Sequence, residues 1–406
     1  MTTETTLRSP WAGHAGTAEL ERWTAVAESV AAELARDALE RDRAGEAPVA
    51  ELELLRSSGL VNLLIPRSAG GEGGHWETAF AAVRAVARTD ASIGQILGYH
   101  YLNSACITFY GAQADQEAWY RASAEGRWVW ADAFNPVDPD LQLTADGEGY
   151  RLSGTRHFAT GAAAADRLIT AAVAAGGAYD GELVVFALDA RRAGVEHLDN
   201  WDHLGQRASA SGAVRFTDVA VCPADVIGTD TGEPFSSVVT PGVQLLFGNI
   251  YLAIAEGALA RARELTRARK NSWFLSGVDI YAQDPAVHRL YGGLVAKTQA
   301  VRALADGLNR KYDDVAGLGA AVTAADRAEL EVAVAGLKVV STEVGLEVAS
   351  RVFEATGASS TANSVGLDVY WRNIRTHSLH DPVDYKKIEV GAYFLNGTVQ
   401  PVSLYT

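Results

Sequence analysis

From Glu19 to Gly45 apolar side chains return every three or four positions, in "ELERWTAVAESVAAELARDALERDRAG". The run is rich in Ala and Glu and closes on glycine, a pattern that predicts an amphipathic helix. "PVAELELLRSSGLVNLLIP" repeats the period and stops at Pro66, and a Gly-rich loop, "SAGGEGGHW", follows. Two further helices are expected in "ETAFAAVRAVARTDASIGQILGYHYLNSACITFYG", with a break near Asp90. Near Gly126 the pattern changes to short runs rich in β-branched and aromatic residues, such as "WVWADAF", "GYRLSGTRHFATG", "RLITAAVAA", "ELVVFALDA" and "GAVRFTDVAV". Asp-Gly and Gly-Gly turns separate them, so an all-β barrel or sandwich is expected. Helical spacing returns near residue 241 in long stretches with short connections, the mark of a bundle. The prediction is an α+β multidomain chain: an N-terminal helical domain (1–125), a central β-barrel domain (126–230) and a C-terminal four-helix bundle (231–406).

Composition narrows the class. Apolar residues make up 48% of 406 positions, enough for extensive cores. A net charge of −15 argues against nucleic-acid and anionic-membrane surfaces. Two cysteines far apart give neither a disulfide framework nor a zinc pattern. "MTTETTLRSPWAGHAG" lacks a basic start followed by an apolar run, and no unbroken apolar stretch of membrane length stands out. A cytoplasmic protein without membrane association is expected.

The chemistry-bearing residues are few. "WRNIRTHSLHDPVDYKK" places His377 and His380 three apart just before Pro382, on one face of the predicted helix end. A metal would need further ligands, and the lone Glu-x-x-His, Glu72 to His75, sits in the glycine loop; no metal is expected. Helix-end capping and acid–base work both remain open. His100 lies in an apolar helix pattern between Tyr99 and Tyr101. Thr160 ends a strand next to Gly161, where a turn or a backbone approaching a flat ring both fit. Aromatic residues including Phe134, Phe158, Trp201, Phe247 and Trp273 belong to cores or to an apolar ligand pocket. No Walker loop, nucleophile elbow or nicotinamide-binding Gly-x-Gly-x-x-Gly unit is present.

With the order helices, β module, bundle in hand, "LLIPRSAGGEGG", "GYRLSGTRHFATGAAAADRLI" and "LGQRASASGAVRFTDVAVCPADVIG" resemble segments of the acyl-CoA dehydrogenase family along essentially the whole chain. The dehydrogenases' glutamate base is replaced by "HDPV", which puts Asp381 at the base position and His380 before it. "YWRNIRTHSLHDPVDYKKIEVGAYFLNG", "LGYHYLN" and "NWDHLGQRASASG" more closely resemble the reduced-flavin-dependent monooxygenases of that fold, the branch of dibenzothiophene monooxygenase and xiamycin-type indole oxygenase.

That resemblance implies a two-component enzyme. It would take FADH2 or FMNH2 from a separate NAD(P)H-flavin reductase, react it with O2 to a C4a-hydroperoxyflavin, and oxygenate a small aromatic heterocycle. Indole or an indole-containing intermediate is the first expectation; dibenzothiophene-like sulfur rings, or acyl-CoA dehydrogenation with Asp381 as base, are the alternatives. It further implies His380, His377, His100 and Thr160 as catalytic residues. Flavin contacts would come from Asp132, Phe158, Thr160, Arg269, Trp273, Gly357 and His380, with Asp132 standing where the branch has asparagine. The substrate pocket would comprise Tyr99, Phe134, Phe158, Phe247 and Trp273. A homodimer or homotetramer is expected, since helical faces near residues 331 to 356 and the tail "FLNGTVQPVSLYT" are too apolar to stand free.

Overall fold

The first helical run divides into α1 (Thr17–Leu34), which buries Trp23, Ala27, Val30 and Leu34 at helical spacing, and a short α2 (Ala38–Ala44) ended by left-handed Gly45. In this computed structural model residues 9–135, 138–139 and 141–406 are described; the expectation of no leader rests partly on residues 1–8 and lies outside them. After α3 (Val49–Ser58) come α4 (Trp76–Ala87) and α5 (Ala91–Tyr110). The break between them is Asp90, whose carboxylate accepts the amides of Ser92 and Ile93 at 3.0 and 3.1 Å, and Arg41 balances its charge at 2.9 Å. α5 is buried around almost its whole circumference, as its unbroken apolar composition requires. α6 (Gln113–Gly126) completes the segment.

Among the described residues eight strands follow: β1 (Trp130–Asp132), β2 (Gln142–Asp146), β3 (Gly149–Arg156), β4 (Arg167–Ala175), β5 (Leu183–Asp189), β6 (Val195–Leu198), β7 (Ala213–Val221) and β8 (Val226–Thr229). Their order is β6-β7-β3-β2-β4-β5-β8, with β1 beside β4. Most neighbours are antiparallel, but β1–β4 and β2–β4 are parallel, and the latter is a short ladder pairing Leu143 with Ala174 and Thr144 with Ala175. β6 and β8 end the path without pairing to each other among the described residues, so the β module is open at that seam. The interior of β4 is buried on both faces, which is why its sequence is a continuous apolar run.

The bundle consists of α7 (Val239–Ala268), α8 (Pro285–Gly317), α9 (Ala324–Thr356), α10 (Asp368–His377) and α11 (Val383–Asn396). Asp284 caps α8, and a Thr323–Asp326 capping box starts α9. Contrary to the sequence expectation, the stretch Ser236–Ala268 is long and apolar enough to cross a membrane, yet 89% of its most apolar window is buried inside the protein. It is the core helix of the bundle, and α5 packs closely on it at Gly98, where a Cβ would come 2.2 Å from Leu246.

Candidate functional site

Two regions carry the predicted residues. The first is a shelf made by the loops after β3 and before β7. Phe158 and Gly161 both adopt positive φ, 60° and 73°, and between them the chain turns Thr160 inward. The amides of Ala159 and Gly161 donate to the carbonyls of Gly212 and Ser209, each at 2.9 Å, so the two loops are laced together. Around Thr160 lies a buried polar cluster. Gln95 Nε2 donates to Thr160 Oγ1 at 3.0 Å, Thr160 meets Ser211 Oγ at 3.0 Å, and Ser211 meets Ser209 Oγ at 2.7 Å. Gln206 bonds Gln95 at 2.9 Å, and its backbone amide donates to Asn373 Oδ1 at 2.8 Å. Asn373 lies one helical turn before His377 on α10, so the shelf is tied to the helix that carries the first histidine.

The second region is the end of α10. Sequence spacing put both histidines on one helix face, but the helix ends at His377 and His380 lies in the following turn. The turn nonetheless brings the two rings to 6.2 Å and within 23° of parallel. Phe247 of α7 packs against both, with centroid distances of 4.6 Å to His377 and 4.7 Å to His380. Tyr251, one turn further along α7, places its hydroxyl 3.1 Å from the His377 carbonyl and 3.0 Å from its Nδ1. With the hydroxyl proton on the carbonyl, Nδ1–H donates to Tyr251 Oη, and this is the arrangement that serves both contacts at once. Burial pulls the His377 imidazolium well below its ordinary pKa, with nearby His380 and Lys338 adding to the effect. The neutral ring therefore presents Nε2 as a bare lone pair, and this buried atom has no partner among the described residues.

Beside it His380 Nδ1 lies 3.2 Å from Asp381 Oδ1. Behind Asp381 sits Lys338 of α9, wholly buried, with Nζ bonded to that carboxylate and to Gln244 Oε1 at 2.7 Å. Burial by itself would raise the Asp381 carboxyl, but the His380 hydrogen bond and the Lys338 charge reverse this and hold it well below the usual carboxylate range. Burial also brings Lys338 down to about 8, against the pull of Asp381. Tyr405 of the C-terminal tail packs 6.2 Å from His380.

The other predicted residues sort by position. Tyr99 joins the histidine corner through Phe247 at 6.2 Å, and Phe158 stacks edge-on to Trp201 at the shelf. Asp132 ends β1; burial raises it to about 7, although neighbouring Asn103 opposes the shift. His100 is different. Its Nε2 lies 2.8 Å from the Val61 carbonyl and its Nδ1 accepts the Trp130 amide at 3.2 Å, so backbone occupies both nitrogens. Burial lowers its pKa to about 4, and it stays neutral as a strut between the turn at Leu60–Asn62, α5 and β1. Phe134 packs in the satellite core with Trp130 and Ile169. Arg269 and Gly357 are neighbours: a Cβ on Gly357 would lie 3.0 Å from Arg269 Nη1, while the guanidinium covers Tyr281 at 4.0 Å. Trp273 is exposed, with its ring against Phe274 and, among the described residues, no ring of the histidine corner or the shelf beside it. Sequence reasoning missed Tyr251, Lys338, Gln244 and the Gln95–Gln206–Ser209–Ser211 cluster. Lys338, a charge inside the apolar "VAGLKVVSTEV", was the one visible signal.

Three models of the acyl-CoA dehydrogenase family match the chain: the N-terminal domain over residues 18–127, the middle domain over 136–219 and the C-terminal domain over 245–385. Dibenzothiophene monooxygenase of Rhodococcus erythropolis is 39% identical over 92% of this chain and 93% of its own length. A probable FMNH2-dependent monooxygenase, SfnC of Pseudomonas putida, is 36% identical over 94% and 97%. The crystal structure of TdsC from Paenibacillus sp. A11-2 with FMN and indole superposes with a TM-score of 0.91 at 35% identity, covering 95% of this chain and all of TdsC.

Proposed function

Because the chain belongs to the flavin-dependent monooxygenases of the acyl-CoA dehydrogenase fold, and works with reduced flavin and dioxygen, we propose that it oxygenates an aromatic heterocycle, first of all indole or an indole-containing intermediate. The residues present fit a flavin. Thr160 offers a hydroxyl on a shelf of positive-φ backbone, and the orphaned His377 Nε2 is a buried polar atom in want of a partner. Bound reduced flavin supplies the electrons that activate dioxygen, leaving one oxygen atom for the substrate. FMN is the form named for SfnC and present with TdsC, and we assign FMNH2 to this chain on that basis.

The observation that carries the indole reading is the buried His377 Nε2, which has no partner among the described residues while Nδ1 meets Tyr251. With Nδ1–H committed to Tyr251, Nε2 is a base, suited to take the indole N–H proton as the ring attacks oxygen. His380 has the complementary role. Its Nδ1 is held against the Asp381 carboxylate at 3.2 Å, which leaves Nε2 to hand a proton to the oxygen left behind. Tyr99, Phe247 and Phe158 supply flat apolar walls for a flat substrate. Asp381 is itself a poor α-proton base: Lys338 and His380 hold it as a stabilised anion, which weighs against acyl-CoA dehydrogenation.

Oxygenation of sulfur in dibenzothiophene-like rings is a second reading, favoured by the dibenzothiophene monooxygenase relatives. It needs the acid but no base for an N–H. His377→Ala should therefore depress turnover of indole at least about tenfold while leaving any sulfoxidation within about threefold, on the usual scale of acid–base assistance. Equal losses on both substrates would remove the reason to prefer indole. A separate NAD(P)H-flavin reductase supplies the reduced flavin, and the exposed apolar side chains of Tyr385, Ile388, Phe394 and Leu395 on α11 support a homodimer or homotetramer.

A further inference from the structure

The cluster behind Thr160 has one proton direction that makes every hydrogen bond its heavy atoms allow. Its first fixed point is the Ala91 carbonyl, which accepts from Gln206 Nε2 at 3.3 Å and so sets that amide. The same Nε2 donates to Gln95 Oε1 at 2.9 Å, which turns Gln95 Nε2 toward Thr160. Its second fixed point is the Gln206 carbonyl, which accepts the Ser209 hydroxyl proton at 2.7 Å. Ser209 Oγ, its proton spent, must accept from Ser211, and Ser211, its proton spent in turn, must accept from Thr160. Reversing the hydroxyl chain forfeits the bond from the Ser209 hydroxyl to the Gln206 carbonyl, which then keeps only the Ser209 amide and the Trp201 indole N–H. Thr160 thus accepts one bond, donates its single proton to Ser211, and keeps one lone pair.

We propose that the Gln95–Gln206–Ser209–Ser211 cluster makes Thr160 an obligate acceptor and so selects the redox state of the flavin. Reduced flavin carries a proton on N5 and can donate there, whereas oxidised flavin offers a lone pair at N5, which would face the lone pair of Thr160. The site therefore holds the reduced form and releases the oxidised one, as a protein that exchanges flavin with a separate reductase requires. Ser211, Ser209 and Gln95 are positioning residues that act through Thr160. The inference rests on the proposed role of Thr160 as a flavin contact, here placed at N5.

The test measures the affinity of the full-length protein for FMN in air and for FMNH2 without oxygen, and takes the ratio. In Ser211→Ala the Thr160 proton loses its acceptor and becomes free to serve the oxidised N5. The preference for FMNH2 should fall by roughly fivefold or more, the scale of one hydrogen bond, mostly through tighter FMN binding. Ser209→Ala, which frees the Ser211 proton to turn back onto Thr160, should move the ratio the same way and stands in should Ser211→Ala not fold. Thr160→Val removes the acceptor and should weaken FMNH2 binding. If Thr160→Val has that effect but both serine variants leave the ratio unchanged or raised, the selection mechanism is wrong and Thr160 still faces the flavin. If Thr160→Val changes neither affinity, the placement of Thr160 falls and the inference falls with it.

Discussion

His380 is the side chain on which the proposed chemistry most depends, since it alone in the corner is both paired to a carboxylate and partly open, at 34% side-chain exposure. His380→Ala should lower coupled oxygenation at least about tenfold, given that positioned acid–base groups contribute ~10² to 10⁴. Flavin binding should persist and the lost flux should emerge as hydrogen peroxide, assayed against substrate consumed. Unchanged coupling would reduce the pair to a helix-end feature. Lys338 makes a different prediction. Lys338→Met removes the buried cation from Asp381 and leaves that carboxylate only His380, so it should cost up to about 3–5 kcal/mol in urea unfolding, part of which Asp381→Asn in the same chain should restore. His100 sets a pH dependence. Its folded value of about 4 lies below the 6.5 of an unfolded chain, so acidification protonates the unfolded state first. Its contribution is full above pH 6.5 and is lost as pH falls toward 4, by up to about 3 kcal/mol. Asp132 and Asp313, each raised to about 7, act in the opposite sense below that pH, so the comparison must be wild type against His100→Gln. Equal acid sensitivity in both would contradict the buried-neutral assignment.

Between elements, the decisive contact is the one that seats α10. Gly205 lies so close to this helix that a Cβ would fall 2.0 Å from the Arg372 carbonyl oxygen. Gly205→Ala should cost about 1–3 kcal/mol and shift the histidine turn. Oxygenation should fall more than flavin binding; the reverse result would mean that the loop serves the flavin alone. What the sequence made legible follows from range. α5 declared itself by apolar residues on every face, its start by Asp90, and the β module by short β-branched runs, all local signals. The parallel ladder of β2 with β4 was hidden, because Asp-Gly and Gly-Gly turns announce only hairpins. Pro382 marked the end of helical conformation but not that α10 had already stopped at His377. Thr160 and the histidines were legible through resemblance, whereas Gln95, 65 positions from Thr160, and Lys338, 43 from Asp381, gain meaning only once the chain has folded.

Across the whole molecule, the apolar face of α11 and the tail make oligomerisation measurable: light scattering should report a dimer or tetramer at micromolar protein, and a stable monomer would refute it. The account's central claim is that this chain uses reduced flavin from elsewhere to place one atom of dioxygen on an aromatic heterocycle. The direct measurement supplies heavy-isotope dioxygen to the protein with FMN, NADH, an unrelated flavin reductase and either indole or dibenzothiophene, then weighs the product. A product carrying one labelled oxygen atom, formed only when the reductase is present, is the predicted result. Reductase-dependent hydrogen peroxide with no labelled product from either ring, from soluble protein that binds FMNH2, would contradict it.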